Sequence, residues 1–273
     1  MKELLQRTLT GLLLVALTVS AVYAGAYYTA LLFWVVSNLG LLEWRKLVEK
    51  TGGRIPLWCL LAWGNILYLS VSAVSGGLAF CWLLTACVLC LSAMTVYTVF
   101  HSDKDGAQVL ALTVAGGLYV ALPLALLSLM PGLFVPVGVH GLMGFFLLVW
   151  AGDIFAYIVG SLFGKHKLCP SISPSKTWEG AMGGLVFSVA VGFLWWRWMM
   201  PDYSLPVWLG FSAVVAVCSI VGDLVESKLK RSAGVKDSGA LLPGHGGMLD
   251  RFDGVLFAAP VAFAFEMLVL YFA

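Results

Sequence analysis

Charged side chains are scarce in this sequence, and their scarcity excludes an ordinary water-soluble fold. Only 11% of the 273 residues are charged and 61% are hydrophobic, whereas soluble domains carry about 25% charged residues. A soluble domain of this length would need a polar surface that so few charges cannot provide. The net charge of +2 is too small to indicate a nucleic-acid partner. The composition therefore predicts a protein whose solvent is largely lipid.

Metal-binding cysteine spacings and internal repeats are also lacking. Among the six cysteines, Cys87 and Cys90 form a CxxC pair inside an apolar run, and without further Cys or His partners we interpret them as core residues. The basic N-terminus before an apolar run is typical of a signal peptide. Because further apolar runs follow throughout the chain, we favour an uncleaved first helix.

Long apolar runs fill most of the chain, and each is long enough to cross about 30 Å of hydrocarbon. They predict an all-α polytopic integral membrane protein with about nine transmembrane helices. The predicted spans are 8–25, 27–44, 56–74, 78–99, 107–130, 141–163, 179–199, 205–226 and 254–272. Closed β-barrels show short alternating strands, which these continuous runs do not resemble.

Basic residues predict the orientation of these spans. With the N-terminus in the cytoplasm and the sides alternating, all but one of the 16 Lys and Arg residues lie in inner segments. The exception, Arg197, lies in WWRWMM, which we interpret as an interfacial aromatic belt. We expect residues 1–140 to form a scaffold of about five helices and 141–273 a catalytic region of about four. Two cytoplasmic loops, 164–178 and 227–253, would carry the site.

One acid lies where lipid disfavours charge. Asp153 is near the middle of the sixth predicted span, where an ionised side chain must face protein or water. We interpret it as lining a polar cavity. The alternative is a shifted span, in which Asp153 is an interfacial acid that pairs with Lys165 or Lys167.

Two pairs of acids flank the loop at 227–253. Asp223 and Glu226 end the eighth predicted span, and Asp250 and Asp253 begin the ninth. Each pair has the i, i+3 spacing that places both side chains on one helix face. Either pair alone could be a salt-bridge partner, with Lys230 beyond Glu226, or a complement to the helix dipole. Together they predict hard oxygen ligands for Mg²⁺ at the membrane surface.

The same loop is rich in basic residues and glycine. Its basic residues are Lys228, Lys230, Arg231, Lys236 and Arg251. Alone they would predict a patch for acidic lipid headgroups, but beside carboxylates they indicate a metal–polyphosphate site. The glycines at 239, 244, 246 and 247 are expected to let backbone N–H groups approach phosphates. His245 is either a donor to substrate or a structural turn residue.

A further motif, SPSKTWEG at 173–180, lies in the preceding cytoplasmic loop. Ser175 or Thr177 is expected to cap the seventh predicted helix, with Glu179 in its first turn. Lys176 then lies near a helix N-terminus, where anions bind. The SKT triplet is also found at the end of P-loops, but we reject a P-loop because the upstream glycine is missing and no strand is predicted before it.

The ordered positions of the 227–253 loop closely resemble the C-terminal signature of phosphatidate cytidylyltransferases, also called CDP-diacylglycerol synthases. The matching residues are Ser227, Lys230, Arg231, Lys236, Asp237, Gly239, Pro243, His245, Gly246, Gly247, Asp250, Arg251 and Asp253. The resemblance continues through GDLVES at 222–227, SPSKTWEG at 173–180 and GDIFAYIVG at 152–160. The earlier part of the chain agrees with the family only in hydropathy.

The resemblance implies a reaction of CTP with phosphatidic acid that gives CDP-diacylglycerol and pyrophosphate and requires Mg²⁺. It implies that Asp223 and Asp250 hold the metal, with Asp253 close by as a further candidate ligand, and that a second, monovalent cation such as K⁺ takes part. Lys236 and His245 join Asp223 and Asp250 as candidate catalytic residues. The resemblance implies that Lys176, Lys230, Arg231, Lys236 and Arg251 bind phosphates, with support from Ser175. Asp153, which we expect to line the polar cavity, is a further candidate substrate-binding residue.

Two other functions stay open at this point. A CTP-dependent lipid-alcohol kinase, such as dolichol or phytol kinase, shares a looser version of these elements. A transporter is suggested by the number of spans, although transporters usually place their acids near the midplane between repeated halves. We expect a bacterial inner-membrane protein with its active site on the cytoplasmic side, and the sequence leaves a homodimer open.

Overall fold

Long α-helices make up most of the computed structural model, which describes residues 2–73, 80–101, 106–133, 138–241, 244 and 246–272. The helices in this part of the chain are α1 (Lys2–Ala24), α2 (Ala26–Lys50), α3 (Leu57–Ala73), α4 (Phe80–His101), α5 (Gly106–Gly116), α6 (Leu122–Leu133), α7 (Gly138–Phe163), α8 (Trp178–Met199), α9 (Leu205–Ser232) and α10 (Leu249–Phe272). A π-helical segment (Gly117–Ala121) joins α5 to α6. The expectation of an all-α architecture is confirmed.

The length and apolar composition of the helices identify an integral membrane protein. Among the described residues, five helical runs are long and apolar enough to cross a bilayer. They are Gly106–Pro131, Gly138–Phe163, Trp178–Met199, Leu205–Ser232 and Leu249–Phe272. Shorter apolar helices cover Thr8–Ala24, Leu57–Ala73 and Thr85–Thr98. Within the described residues each predicted span coincides with helix over nearly its whole length, while the count of nine and the cytoplasmic N-terminus stay predictions.

Two compact units divide the chain. The first comprises residues 1–129 and 232–251, and the second comprises 130–231 and 252–273. The segment 232–251, which carries most of the signature loop, therefore belongs with the N-terminal helices. The functional division that we predicted at residue 140 stays a prediction.

Tryptophans and glycines organise the centre of the first unit. Trp44 of α2 and Trp63 of α3 donate their indole N–H groups to the carbonyl oxygens of Leu112 and Val114, at 3.1 and 3.3 Å. A Cβ on Gly116 would lie 2.7 Å from the Trp44 ring, so only glycine admits this indole. Pro123, just after the π-helical segment, lacks an N–H and cannot continue the regular ladder. These contacts hold α2, α3 and α5 together.

Close helix contacts through glycine organise the second unit. A Cβ on Gly184 of α8 would lie 2.7 Å from the carbonyl oxygen of Gly152 in α7, and a Cβ on Gly222 of α9 would lie 2.6 Å from that of Asp253 in α10. Small residues of this kind let membrane helices approach closely. The approach of α9 to α10 brings the segments that carry Asp223 and Asp253 together.

A short antiparallel hairpin connects α7 to α8. Strand β1 (Lys167–Cys169) pairs with β2 (Ser173–Thr177), with Lys167 opposite Thr177 and Cys169 opposite Ser173. We expected a loop without strands here, and that was wrong. The strands are too short and too polar to show a hydrophobic period in the sequence.

Candidate active site

A cavity of about 460 Å³ lies in the second unit, among α7, α8, α9 and the hairpin. Asp153, Lys176 and Asp223 contribute charged groups to its lining, and Tyr157 and Ile220 contribute apolar ones. The position of Asp153 agrees with the interpretation that it lines a cavity. The cavity therefore offers both charged and apolar surface to one ligand.

An ion pair inside the cavity joins the hairpin to α9. The Lys176 ammonium donates to the Asp223 carboxylate, and the two side chains are 23% and 32% exposed. Asp223 Oδ1 also accepts from the Ser227 hydroxyl at 3.3 Å. Both partners were candidate site residues, but nothing in the sequence predicted that they contact each other.

Further carboxylates lie near this ion pair. Asp253 is within electrostatic reach of Asp223, Glu226 and Asp153. Glu226 is fully buried, and its Oε2 accepts from Lys230 Nζ at 2.7 Å, as the salt-bridge alternative predicted. Lys230, a candidate phosphate ligand, is thus itself buried beside a carboxylate. Within the described residues, no group of three or more His, Cys, Asp or Glu side chains has the arrangement of a metal site.

The start of α8 is capped by the motif that the sequence singled out. Thr177 is the N-cap, and its Oγ1 accepts from the Gly180 N–H at 3.1 Å. Ser175, the other candidate cap, is exposed and lines the cavity instead. Glu179 lies in the first turn as predicted, and it accepts from His166 Nδ1 at 2.6 Å and from the Lys165 N–H at 3.1 Å. Thr177 and Glu179 therefore fix the hairpin that carries Lys176.

The signature loop of the first unit is organised around Asp250. Asp250 Oδ2 accepts from the Ser238 N–H at 2.8 Å, the Ser238 hydroxyl at 2.9 Å and the Gly247 N–H at 2.7 Å. The Gly247 N–H is therefore engaged by Asp250 here, and the expectation that it approaches a phosphate stays a prediction. His245 and Pro243 lie outside the described residues.

A buried acid that the sequence argument missed supports the same loop. Glu43 of α2 is 4% exposed, and it accepts from Met248 N at 2.8 Å, Leu249 N at 2.9 Å and Ser238 Oγ at 3.0 Å. Glu43 falls inside the predicted span 27–44. An acid inside an apolar span is the signal that could have found it.

The sequence profile of the Cytidylyltransferase family matches residues 5–269, which is nearly the whole chain. The chain belongs to this family. Curated relatives named phosphatidate cytidylyltransferase include those of Staphylococcus haemolyticus and Staphylococcus aureus, each 48% identical over 126 residues. The Haemophilus influenzae protein of the same name is 42% identical over 137 residues.

The similarity to these cytidylyltransferases covers part of each chain. The matched segments span 45–49% of this chain. The chain spans about half the length of the curated relatives it matches, 48% in each case. Family membership thus rests on the match to residues 5–269.

The structure brings some candidate residues of this cytidylyltransferase family member together within one unit. Asp153, Ser175, Lys176 and Asp223 line one cavity, and Asp253 is in the same unit. The candidates of the first unit are Lys236, Asp250 and Arg251. Arg231 is exposed at the end of α9, and its Nε donates to the Ile172 carbonyl at 3.4 Å. The side chains of Lys236 and Arg251 are exposed.

Proposed function

We propose that the protein is a phosphatidate cytidylyltransferase, which transfers the cytidylyl group of CTP to phosphatidic acid and releases pyrophosphate. The family match and the names of the relatives support this activity. The observation that carries the proposal is the cavity of the second unit, where a lysine–aspartate pair and apolar side chains share one lining. A substrate with a phosphate headgroup and acyl chains has the same two chemistries.

The reaction suits a site of this composition. A phosphate oxygen of phosphatidic acid attacks the α-phosphorus of CTP and forms a new P–O bond, while the bond from the α-phosphorus to the bridging oxygen of the β-phosphate breaks. The nucleophile is already anionic, so no strong general base is needed. Positioning and neutralisation of charge then supply most of the catalysis. Lys176 is the basic group that lines the cavity for this purpose.

Mg²⁺ is part of the proposal, and the donor chemistry of the second unit fits it. Asp223 and Asp253 carry the hard oxygen donors that Mg²⁺ prefers, and Asp253 lies within electrostatic reach of Asp223 and of Asp153. Asp223 and Asp253 would hold the ion. When bound, it would neutralise negative charge on the CTP phosphates. A monovalent cation such as K⁺ is proposed from the family resemblance alone.

Roles for the other candidates follow from the family resemblance. Asp250 is proposed as a metal ligand, and Lys236 and His245 as catalytic groups. The proposed phosphate-binding residues are Ser175, Lys230, Arg231 and Arg251. We further propose a cytoplasmic-facing active site in a bacterial inner membrane, where soluble CTP meets a lipid that stays in the bilayer, and a homodimer as the assembly.

The proposal is tested by product analysis with the purified protein in mixed micelles. Phosphatidic acid, CTP and Mg²⁺ together should yield pyrophosphate and CDP-diacylglycerol in equal amounts. Diacylglycerol, which has the same chains without the phosphate, should yield neither. Release of CDP with a lipid alcohol would instead indicate a CTP-dependent kinase, and a protein that turns over no CTP would refute the proposal.

A further inference from the structure

Glu43 lies on α2, outside every motif that the family resemblance covers, yet its carboxylate meets the start of α10 within the first unit. Oε1 accepts from Met248 N at 2.8 Å, and Oε2 accepts from Leu249 N at 2.9 Å. These N–H groups begin a helix and have no partner within it. A carboxylate at this end is also favoured by the helix dipole. Glu43 therefore caps α10 from a helix that is about 200 residues away in sequence.

The burial of Glu43 makes these contacts necessary. The residue is 4% exposed, and a buried charge destabilises a protein unless donors satisfy it. The space beside the carboxylate admits only glycine at position 239, since a Cβ there would lie 2.5 Å from Glu43 Oε1. The loop and the carboxylate therefore have matched shapes as well as matched hydrogen bonds.

Ser238 links Glu43 to Asp250. Its Oγ lies 3.0 Å from Glu43 Oε2 and 2.9 Å from Asp250 Oδ2, and its N–H donates to the same Asp250 oxygen at 2.8 Å. A hydroxyl has one hydrogen to donate, so the two carboxylates compete for it. A change at Glu43 therefore reaches Asp250 through one intervening residue.

We propose that Glu43 is a positioning residue of the reaction, which holds Ser238 and residues 246–250 in one arrangement and thereby orients Asp250. The inference rests on the proposed function for its catalytic consequence. It assigns part of the catalytic apparatus to a helix of the predicted N-terminal scaffold. Glu43 acts through Ser238 and through the backbone at the start of α10, and it is not proposed to contact a reacting atom.

The variant Glu43→Gln tests this with little change in size. An amide offers one acceptor oxygen where the carboxylate offers two, so its NH₂ group must face the Met248 or the Leu249 N–H. We expect kcat to fall by about 10- to 100-fold, the range for a buried donor that loses a charged acceptor. The KM for CTP should stay within about threefold, because the substrate contacts themselves remain.

Glu49→Gln is the matched control on the same helix. Glu49 forms an ion pair with Arg45 at the surface, with 2.9 Å between Oε1 and Nη2. Surface ion pairs contribute little to the free energy of unfolding. Its kcat should stay within about twofold of wild type. Hydrogen exchange supplies a readout that is independent of turnover. In Glu43→Gln the amides of Met248 and Leu249 should exchange faster while those of α8 keep their protection.

Ser238→Ala separates positioning from a general loss of folding, because it removes only one hydroxyl. If Glu43 acts through Ser238, the double variant that carries Glu43→Gln and Ser238→Ala should lose less kcat than the product of the two single fold-losses. All rates are normalised to the monodisperse fraction from size exclusion.

Several results would overturn the inference. Unchanged kcat in Glu43→Gln, or unchanged exchange at Met248 and Leu249, would show that Glu43 does not position the loop. Faster exchange throughout the protein with a normal kcat per folded molecule would make Glu43 a stabilising residue only. A wild-type protein without CTP turnover refutes the proposed function and the catalytic role of Glu43 together, whereas an active wild type with an equally active variant refutes the inference alone.

Discussion

Replacing Lys176 by Met removes the ammonium group that pairs with Asp223 in the cavity. Met keeps most of the length and apolar volume of the lysine stem. The change therefore tests the charge while it leaves the packing of β2 and α8 nearly intact.

The expected loss of activity follows from the loss of a charged contact to phosphate. Such a hydrogen bond contributes about 1.5–3 kcal/mol, which corresponds to a fall in kcat/KM of roughly 10- to 150-fold. The two side chains are 23% and 32% exposed, so water screens part of their attraction. We expect the free energy of unfolding to fall by about 1–2 kcal/mol, between the values for exposed and buried pairs.

The assay is CTP-dependent pyrophosphate release in mixed micelles, with thermal unfolding measured on the same samples. Lys165→Met is the matched control, because Lys165 is exposed and does not line the cavity. Adding Asp223→Asn to Lys176→Met should recover stability without recovering turnover, since the double variant removes both members of the ion pair. A Lys176→Met protein with wild-type kcat/KM would refute the assignment of this cavity to phosphate binding.

Three further substitutions test the other parts of the account. Gly246 has a φ of 80°, and a Cβ on it would lie 2.7 Å from Asp250 Oδ2. Gly246→Ala should therefore lower the free energy of unfolding by more than the ~1–2 kcal/mol that a left-handed conformation alone costs. Gly234→Ala, with open space around it, is the control, and an equal loss in both variants would contradict the contact with Asp250. Thr177→Ala should lower the free energy of unfolding by about 1 kcal/mol, because the Gly180 N–H loses its acceptor, whereas Thr177→Ser should keep that acceptor. Equal melting temperatures for the two variants would contradict the role of Thr177 as the cap. Asp250→Asn should abolish turnover while the protein still elutes as a folded species in detergent, and retained turnover would discredit Asp250 as a metal ligand.

The helices were predictable because membrane spans are long and continuously apolar. Where the structure describes them, the predicted spans coincide with helix, since lipid leaves the backbone few other ways to satisfy its hydrogen bonds. The hairpin of β1 and β2 was not predictable, because strands of three and five residues have no measurable hydrophobic period. The start of α10 at Leu249 rather than at 254 also escaped the hydropathy argument, because the first turn of that helix is polar.

Some features of the candidate site could likewise be predicted from the sequence, and others could not. Charged residues in an apolar chain are conspicuous, so Asp153, Lys176 and Asp223 could be singled out from the sequence. The direct Lys176–Asp223 contact could not, because it depends on how α9 packs beside the hairpin. Glu43 could have been singled out as an acid inside an apolar span, but its partners could not be predicted. Its partners are about 200 residues away in sequence, and no local pattern connects a helix to so distant a loop.

The fate of the α-phosphate of CTP tests the central claim most directly. When CTP radiolabelled at the α-phosphate is incubated with the purified protein and phosphatidic acid, the label should enter the lipid fraction as CDP-diacylglycerol. CTP labelled at the γ-phosphate should leave its label in water-soluble pyrophosphate. Transfer of the γ-label to lipid, or no transfer of the α-label, would contradict the account.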